Sequence, residues 1–243
     1  MLNIEIFSDV VCPWCFVGKR RLEQALALVR RGHPGREIDV RVTWRPFELN
    51  PGLPREGVDR AAYRRAKFGS LERSQLLDAR LVDAGESAGI AFAFDKIKRT
   101  PNTFDAHRLV WLADSLGGPE VPGPAGMFGS RRGPRAKDAQ TGQDALVEAL
   151  FRAYFLDGLN VGEHAVLEDL AEGSGIPRAR AASLLAGREG EAEVRTEENR
   201  AWTSGIQGVP HFIIGGTHPI SGAQNPAIIA AAIQDVLRAT AEA

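Results

Sequence analysis

Cys12-Pro13-Trp14-Cys15 holds the only two cysteines of the chain, with two residues between them. At that spacing, with the first cysteine opening a helix, two sulfurs reach disulfide geometry without distorting the backbone. Such a pair can close on itself and open again, which is the chemistry of electron-pair transfer between sulfurs. Cys12 at the helix N-terminus would face unpaired backbone N–H groups and the positive end of the helix dipole, which favour a thiolate. Cys15, one turn further in, would be shielded and act second. It would attack the mixed disulfide that Cys12 makes with a substrate and so release the product.

Two other uses of the same spacing compete. Zinc needs two further ligands. There is no second cysteine pair, and His33, His107, His164, His211 and His218 contain no pair three to five residues apart. A permanent disulfide across so short a loop would constrain the unfolded chain little.

The elements that must position the pair are legible from periodicity. Leu2 to Phe7 alternates apolar and polar residues and predicts a strand, with Ser8 to Val11 as the loop that delivers the cysteines. From Cys15 the period becomes helical, with Leu22, Ala25, Leu26 and Val29 on one face, until Arg31-Gly32-His33-Pro34-Gly35 stops the run. Ile38, Val40, Val42 and Trp44 alternate again, so strand, helix and strand predict a parallel pair.

After the Asn50-Pro51-Gly52-Leu53-Pro54 loop, nearly every periodic segment to about Leu185 is helical. The segments are Arg60–Phe68, Leu71–Ala88, Thr103–Leu116, Gln143–Leu156, Glu163–Ala171 and Arg178–Leu185. Gly117 to Gly142 is crowded with glycine, proline and arginine and reads as a long loop. A charged helix, Glu191 to Trp202, then leads to Gly208-Val209-Pro210 and the strand His211-Phe212-Ile213-Ile214. Gly215-Gly216 turns the chain into a short return strand, Thr217 to Ile220, and Asn225-Pro226 opens a last helix. Strands at both ends form one sheet, interrupted by a mostly helical insertion. The expected division is residues 1–50 with 189–243, and an insertion over 51–188 that contains the 117–142 loop.

A chain of 243 residues is long enough for a large core, as one domain or a domain with an insertion. A formal net charge of −1 gives no reason to expect nucleic acid as a partner. Met1-Leu2-Asn3-Ile4-Glu5 has no basic leader pattern, and no apolar stretch reaches the roughly 20 residues that span a bilayer. These features predict a cytoplasmic protein without a membrane partner, where a lone Cys-x-x-Cys is catalytic or redox-sensing rather than a staple.

Taken together, Cys12-Pro13-Trp14-Cys15 and Gly208-Val209-Pro210 in this arrangement resemble the thioredoxin-like superfamily, specifically the DsbA family with its helical insertion. The branch that matches is the FrnE-like one, related to 2-hydroxychromene-2-carboxylate isomerases and kappa-class glutathione transferases. Similar stretches are Ser8-Asp9-Val10-Val11 before the cysteines, Gly18-Lys19-Arg20-Arg21-Leu22, Pro46-Phe47 with Asn50-Pro51, Asn102 to Arg108, Ala153-Tyr154-Phe155 and Ser221-Gly222-Ala223-Gln224. The resemblance spans nearly the whole chain and implies an α/β, thioredoxin-like fold with a large helical insertion.

What the resemblance implies can be carried over by residue. Cys12 matches the attacking thiol and Cys15 the resolving thiol of a redox-active center. Pro13 and Trp14 support them. Pro210 matches the family's cis-proline, and Val209 before it faces the active disulfide and pairs its backbone with an extended substrate. Trp14 stands where periplasmic DsbA oxidants commonly have histidine. A neutral indole cannot become a cation, so the pair is expected in the less oxidising half of the range from about −270 to about −120 mV. Asn50, His107, His211 and Gln224 are candidates for contact with substrate.

The resulting expectation is a cytosolic thiol–disulfide oxidoreductase acting on protein or small-molecule thiols and disulfides. No tightly bound cofactor or metal is implied. Glutathione is a possible co-substrate, and glutathione or a thioredoxin-type partner would supply reducing equivalents. The rival from the same relatives is a glutathione-dependent isomerase or transferase acting on an aromatic or polyketide-like molecule. Those relatives usually carry serine where this chain has Cys12, which counts against it. A binding module on an inert fold is the remaining alternative.

Overall fold

Residues 1–35, 38–116 and 142–240 are described by the computed structural model of the protein; the residues from 117 to 141, which make up all but the last of the expected long loop, lie outside this set. Strand β1 (Leu2–Ser8) is the centre of the molecule, with Ile4 and Ile6 wholly buried. It pairs in parallel with β2 (Val40–Pro46), in register from Leu2↔Val40 to Ser8↔Pro46. The alternating run before β2 starts two residues earlier, at Ile38. Because β1 itself begins at Leu2, its first ladder partner is Val40, and Asp39 only accepts a hydrogen bond from the Leu2 N–H at 2.7 Å.

On its other side β1 pairs antiparallel with β5 (His211–Ile214), which pairs antiparallel with β6 (His218–Ser221). The sheet order is β2-β1-β5-β6. Helix α1 (Pro13–Gly32) connects β1 to β2 and buries Cys15, Phe16, Val17, Leu22, Ala25 and Val29.

Between the two halves of the sheet run α2 (Arg60–Phe68), α3 (Leu71–Ser87), α4 (Phe104–Ser115), α5 (Gly142–Phe155), α6 (His164–Gly173), α7 (Arg178–Ala186) and α8 (Glu191–Thr203). All lie within about two residues of the spacing-based bounds. Their ends are set by ordinary capping chemistry. Asp59 accepts from the Ala62 N–H at 2.8 Å to start α2, and Ser70 accepts from the Arg73 N–H at 3.1 Å to start α3. A two-residue ladder, β3 (Val58–Asp59) with β4 (Arg99–Thr100), is too short to leave a period in the sequence. Helix α9 (Pro226–Ala239), capped by Asn225, returns to pack against α1.

Aromatic side chains join the helices to the sheet. Phe16, the residue after Cys15, stacks on Phe151 of α5 at 5.1 Å between ring centroids and meets Phe92 edge-on at 6.1 Å. Phe155 and Trp44 complete the cluster. Gln143 of α5, almost wholly buried, closes the free edge of β2. It accepts from the Trp44 N–H at 2.9 Å and donates to the Trp44 carbonyl at 3.1 Å, as a neighbouring strand would. No described helix is long and apolar enough to cross a membrane.

Candidate active site

Cys12 is the residue that caps α1, with extended backbone angles, and Pro13 occupies the first helical position, where its missing N–H costs nothing. The Cys12 carbonyl accepts from the Cys15 N–H at 3.0 Å, which closes the first turn. Both thiols are free and buried, Cys12 at 4% exposure and Cys15 at zero. Burial raises the Cys15 pKa well above that of an ordinary thiol. The adjoining Cys12 sulfur, within hydrogen-bond reach, raises it further, while the Ser8 side chain and the Asp9 backbone oppose the shift. Cys15 therefore holds its proton more tightly than an ordinary thiol does.

The Val209–Pro210 peptide bond is cis, and the Cys12 thiol donates to the Val209 carbonyl at 3.6 Å. Gly18 permits this approach. A methyl group there would stand 2.9 Å from the Pro210 ring and 3.2 Å from the Phe212 ring. Beside the Val209–Pro210 loop lies an open cleft of about 410 Å³, bounded by Gly205 to Gly208, Val209, His211, Ser221 and Gly222. Trp14, 40% exposed, flanks the cysteines on the surface.

The other expected contact residues divide. His211 lines the cleft on β5; its Nδ1 pairs with the Ser221 hydroxyl at 3.0 Å, and partial burial lowers its pKa. Gln224 turns back to donate to the Ser221 carbonyl at 2.9 Å, and Asn50 accepts from the Tyr63 hydroxyl at 2.5 Å. His107 lies inside the protein at 3% exposure, where no substrate reaches it, with its Nε2 3.7 Å from Asp9 Oδ1.

That last contact belongs to a group that sequence reasoning missed. Asp9, wholly buried, accepts from the Leu49 N–H at 2.7 Å and the Val11 N–H at 3.3 Å. Glu48 is buried beside it, and its N–H donates to Glu198 at 3.2 Å. Burial pushes the Glu48 carboxyl up to about 7, with Glu198 and Asp9 adding and His107 and Arg195 opposing. Burial pulls His107 down, but Asp9, Glu48 and Glu198 outweigh it and its pKa is raised. The quoted Ser8-Asp9 and Asn102-to-Arg108 stretches contain two of these residues, but nothing in them links positions so far apart. Among the described residues, no cluster of three or more histidines, cysteines and carboxylates could hold a metal ion.

A two-sulfur pair, the Val209 carbonyl just before the cis-proline and an adjoining cleft can receive an extended thiol or disulfide. Comparison with known proteins agrees with that geometry. The model of the DSBA-like thioredoxin domain matches residues 3–121 and 125–234. The uncharacterized protein YwbO of Bacillus subtilis (strain 168) is 27% identical over 235 residues, which is 96% of each chain. The crystal structure of a probable DsbA oxidoreductase, SCO1869 from Streptomyces coelicolor, is 30% identical, with a TM-score of 0.78 over 98% of this chain and 90% of that one. The cytosolic disulfide reductase DsbM from Pseudomonas aeruginosa, in a structure with GSH, shares the fold at 18% identity, with a TM-score of 0.57 over 97% of this chain and 99% of that one. On the family model, which covers nearly the whole chain, the protein belongs to the DSBA-like thioredoxin domain family.

Proposed function

We propose that the protein is a thiol–disulfide oxidoreductase that exchanges disulfides through Cys12 and Cys15, in the cytoplasm, with glutathione or another thiol as partner. The observation that carries this reading is the unequal pair. Cys12 caps the helix beside the Val209 carbonyl, and Cys15 sits a turn deeper, wholly buried and held as a thiol. Cys12 attacks one sulfur of a substrate disulfide and expels the other as a thiolate. Cys15 then attacks Cys12, releases the second substrate thiolate and leaves a Cys12–Cys15 disulfide, so that the substrate is reduced and the dithiol oxidised by two electrons. The reverse sequence oxidises a dithiol. The backbone at Val209 and the cleft beside His211 hold the extended segment that carries the reacting sulfur. Glutathione as a partner is supported by the fold shared with DsbM and the glutathione in that structure.

Reduction of insulin by a thiol reductant, followed by turbidity, tests the reading. Wild type should accelerate it, Cys12→Ser should abolish the acceleration, and Cys15→Ser should stall as a mixed disulfide detectable by mass spectrometry. No acceleration by wild type, together with glutathione-dependent isomerisation of a chromene-type substrate that survives Cys15→Ser, would overturn it.

A further inference from the structure

The open cleft beside Val209 lies on the face of the sheet away from the cysteine helix. Side chains of β5 alternate in direction. Phe212 faces α1, where a methyl group on Gly18 would meet its ring, so His211 and Ile213 face the other way. There Ile213 packs against a cluster of Phe7, Phe47, Ala201 and Ile206, and His211 pairs with its cross-strand neighbour Ser221. Val209 packs against this cluster and also against the larger one that contains both cysteines, so it stands where the two faces meet. Its carbonyl is the one that accepts from the Cys12 thiol. A chain joined to Cys12 and running past Val209 therefore has the cleft beside it, on the far face.

The lining decides what fits there. None of the residues that bound the cleft is an aspartate, glutamate, lysine or arginine, and partial burial lowers the His211 pKa, so the ring is neutral at pH 7. Ile206 and Val209 form an apolar wall. Trp202 adjoins that wall through Phe47: the two rings lie 5.1 Å apart, and the indole is still 53% exposed. Its carbonyl accepts from the N–H of Gly205, the first residue of the cleft, at 3.0 Å. Gly208 keeps the cleft open. Its φ is not in the left-handed region, and a methyl group there would meet nothing within 4 Å, so neither the backbone nor the packing of this chain calls for glycine.

We propose that this cleft is a side-chain subsite for an uncharged, bulky residue next to the reacting cysteine of an extended polypeptide, with Trp202 at its rim, so that a polypeptide disulfide is preferred over that of glutathione. The inference rests on the dithiol-exchange reading and narrows its substrate; glutathione keeps its place there as a thiol partner. Two arguments carry it. Glutathione brings two carboxylates and an ammonium group, and a charged group that leaves water without a partner is costly, whereas an apolar side chain gains by leaving. Successive side chains of an extended chain also point to opposite faces. With the substrate cysteine turned toward Cys12, the residue next to it turns toward the cleft and the one after that turns back.

Symmetric disulfides of short, terminally blocked peptides test this, each peptide holding one cysteine among serines, with a single phenylalanine placed either next to the cysteine or two residues away. Acid quenching and mass spectrometry give the rate at which each oxidises the reduced protein. Phenylalanine next to the cysteine, on at least one side, should raise that rate about tenfold over both the all-serine peptide and glutathione disulfide, while phenylalanine two residues away should not. Trp202→Ala, which opens the rim, and Gly208→Val, which narrows the cleft, should each bring the ratio of the phenylalanine rate to the serine rate toward one. A general folding defect would lower both rates and leave their ratio alone. Equal rates for the phenylalanine and serine peptides, glutathione disulfide reacting as fast as the best peptide, an equal gain from the more distant phenylalanine, or a ratio untouched by both substitutions overturns the subsite and leaves dithiol exchange standing. If no disulfide oxidises the wild type, the dithiol reading falls and the subsite with it.

Discussion

Glu48 shows how a carboxyl group buried beside Asp9 affects stability. Its carboxyl titrates near 7 in the folded protein because burial disfavours the charged form, whereas in the unfolded chain it titrates near the ordinary value of 4.5. Between those values the folded state binds more protons than the unfolded state, so stability falls as pH rises from about 4.5 through 7. His107 acts in the same direction from 6.5 upward, because its raised folded-state pKa stabilises the protein only while the ring is charged. Thermal melts should therefore show wild type losing stability on the order of 2 kcal/mol between pH 5 and 8. Glu48→Gln, which cannot ionise, should flatten most of that slope. A wild-type profile that rises over this interval would mean the carboxyl is solvated in the folded state.

At the scale of elements, the two halves of the site come from opposite ends of the chain and meet at one glycine. Helix α1 carries the cysteines and the loop before β5 carries Val209–Pro210, and Gly18 lets the helix backbone rest against the proline ring. Gly18→Ala sets two effects against each other. Alanine gains about 1 kcal/mol of helix propensity, but its methyl group, 2.9 Å from Pro210 Cγ, forces a shift that costs about 1–3 kcal/mol in a packed interior. Overpacking should win. The melting temperature should fall, and insulin reduction should slow because Cys12 loses its register with the Val209 carbonyl. A stabilised variant would show that the loop does not depend on this approach. Much of this arrangement is legible in the sequence because it is local: the Cys-x-x-Cys, the alternating runs and the helical faces each announce themselves within a dozen residues. Asp9, Glu48 and His107 announce nothing, because their meaning lies in mutual proximity across about 100 positions and in burial, which charged residues seldom suggest. The β3–β4 ladder and the strand-like role of Gln143 are hidden for a related reason. Each depends on a partner that only the folded chain supplies.

Across the whole molecule, the helices between β2 and β5 are bonded to the cysteine helix by both apolar and charged contacts. Phe16 follows Cys15 directly and packs into the rings of Phe92, Phe151 and Phe155. Three residues further along α1, the buried Lys19 ammonium meets Glu23 at 2.6 Å, Asp144 at 3.2 Å and Glu148 at 3.4 Å. Asp144 and Glu148 both lie on α5. Burial lowers the Lys19 pKa, but the three carboxylates more than offset it, so the lysine stays charged inside the protein. Breaking such a buried set by removing one member costs several kcal/mol, so the contact resists separation of the two parts. With this coupling, a cavity made in α5 should be felt at Cys15. Phe151→Ala removes a wholly buried ring and should cost about 3–5 kcal/mol. Chemical denaturation of that variant should show loss of helical circular dichroism and alkylation of Cys15 at the same, lowered midpoint. Two separate transitions, with Cys15 still protected after the helical signal has gone, would mean that the sheet and the helices fold as independent units and that the cysteine pair does not need the insertion for its burial.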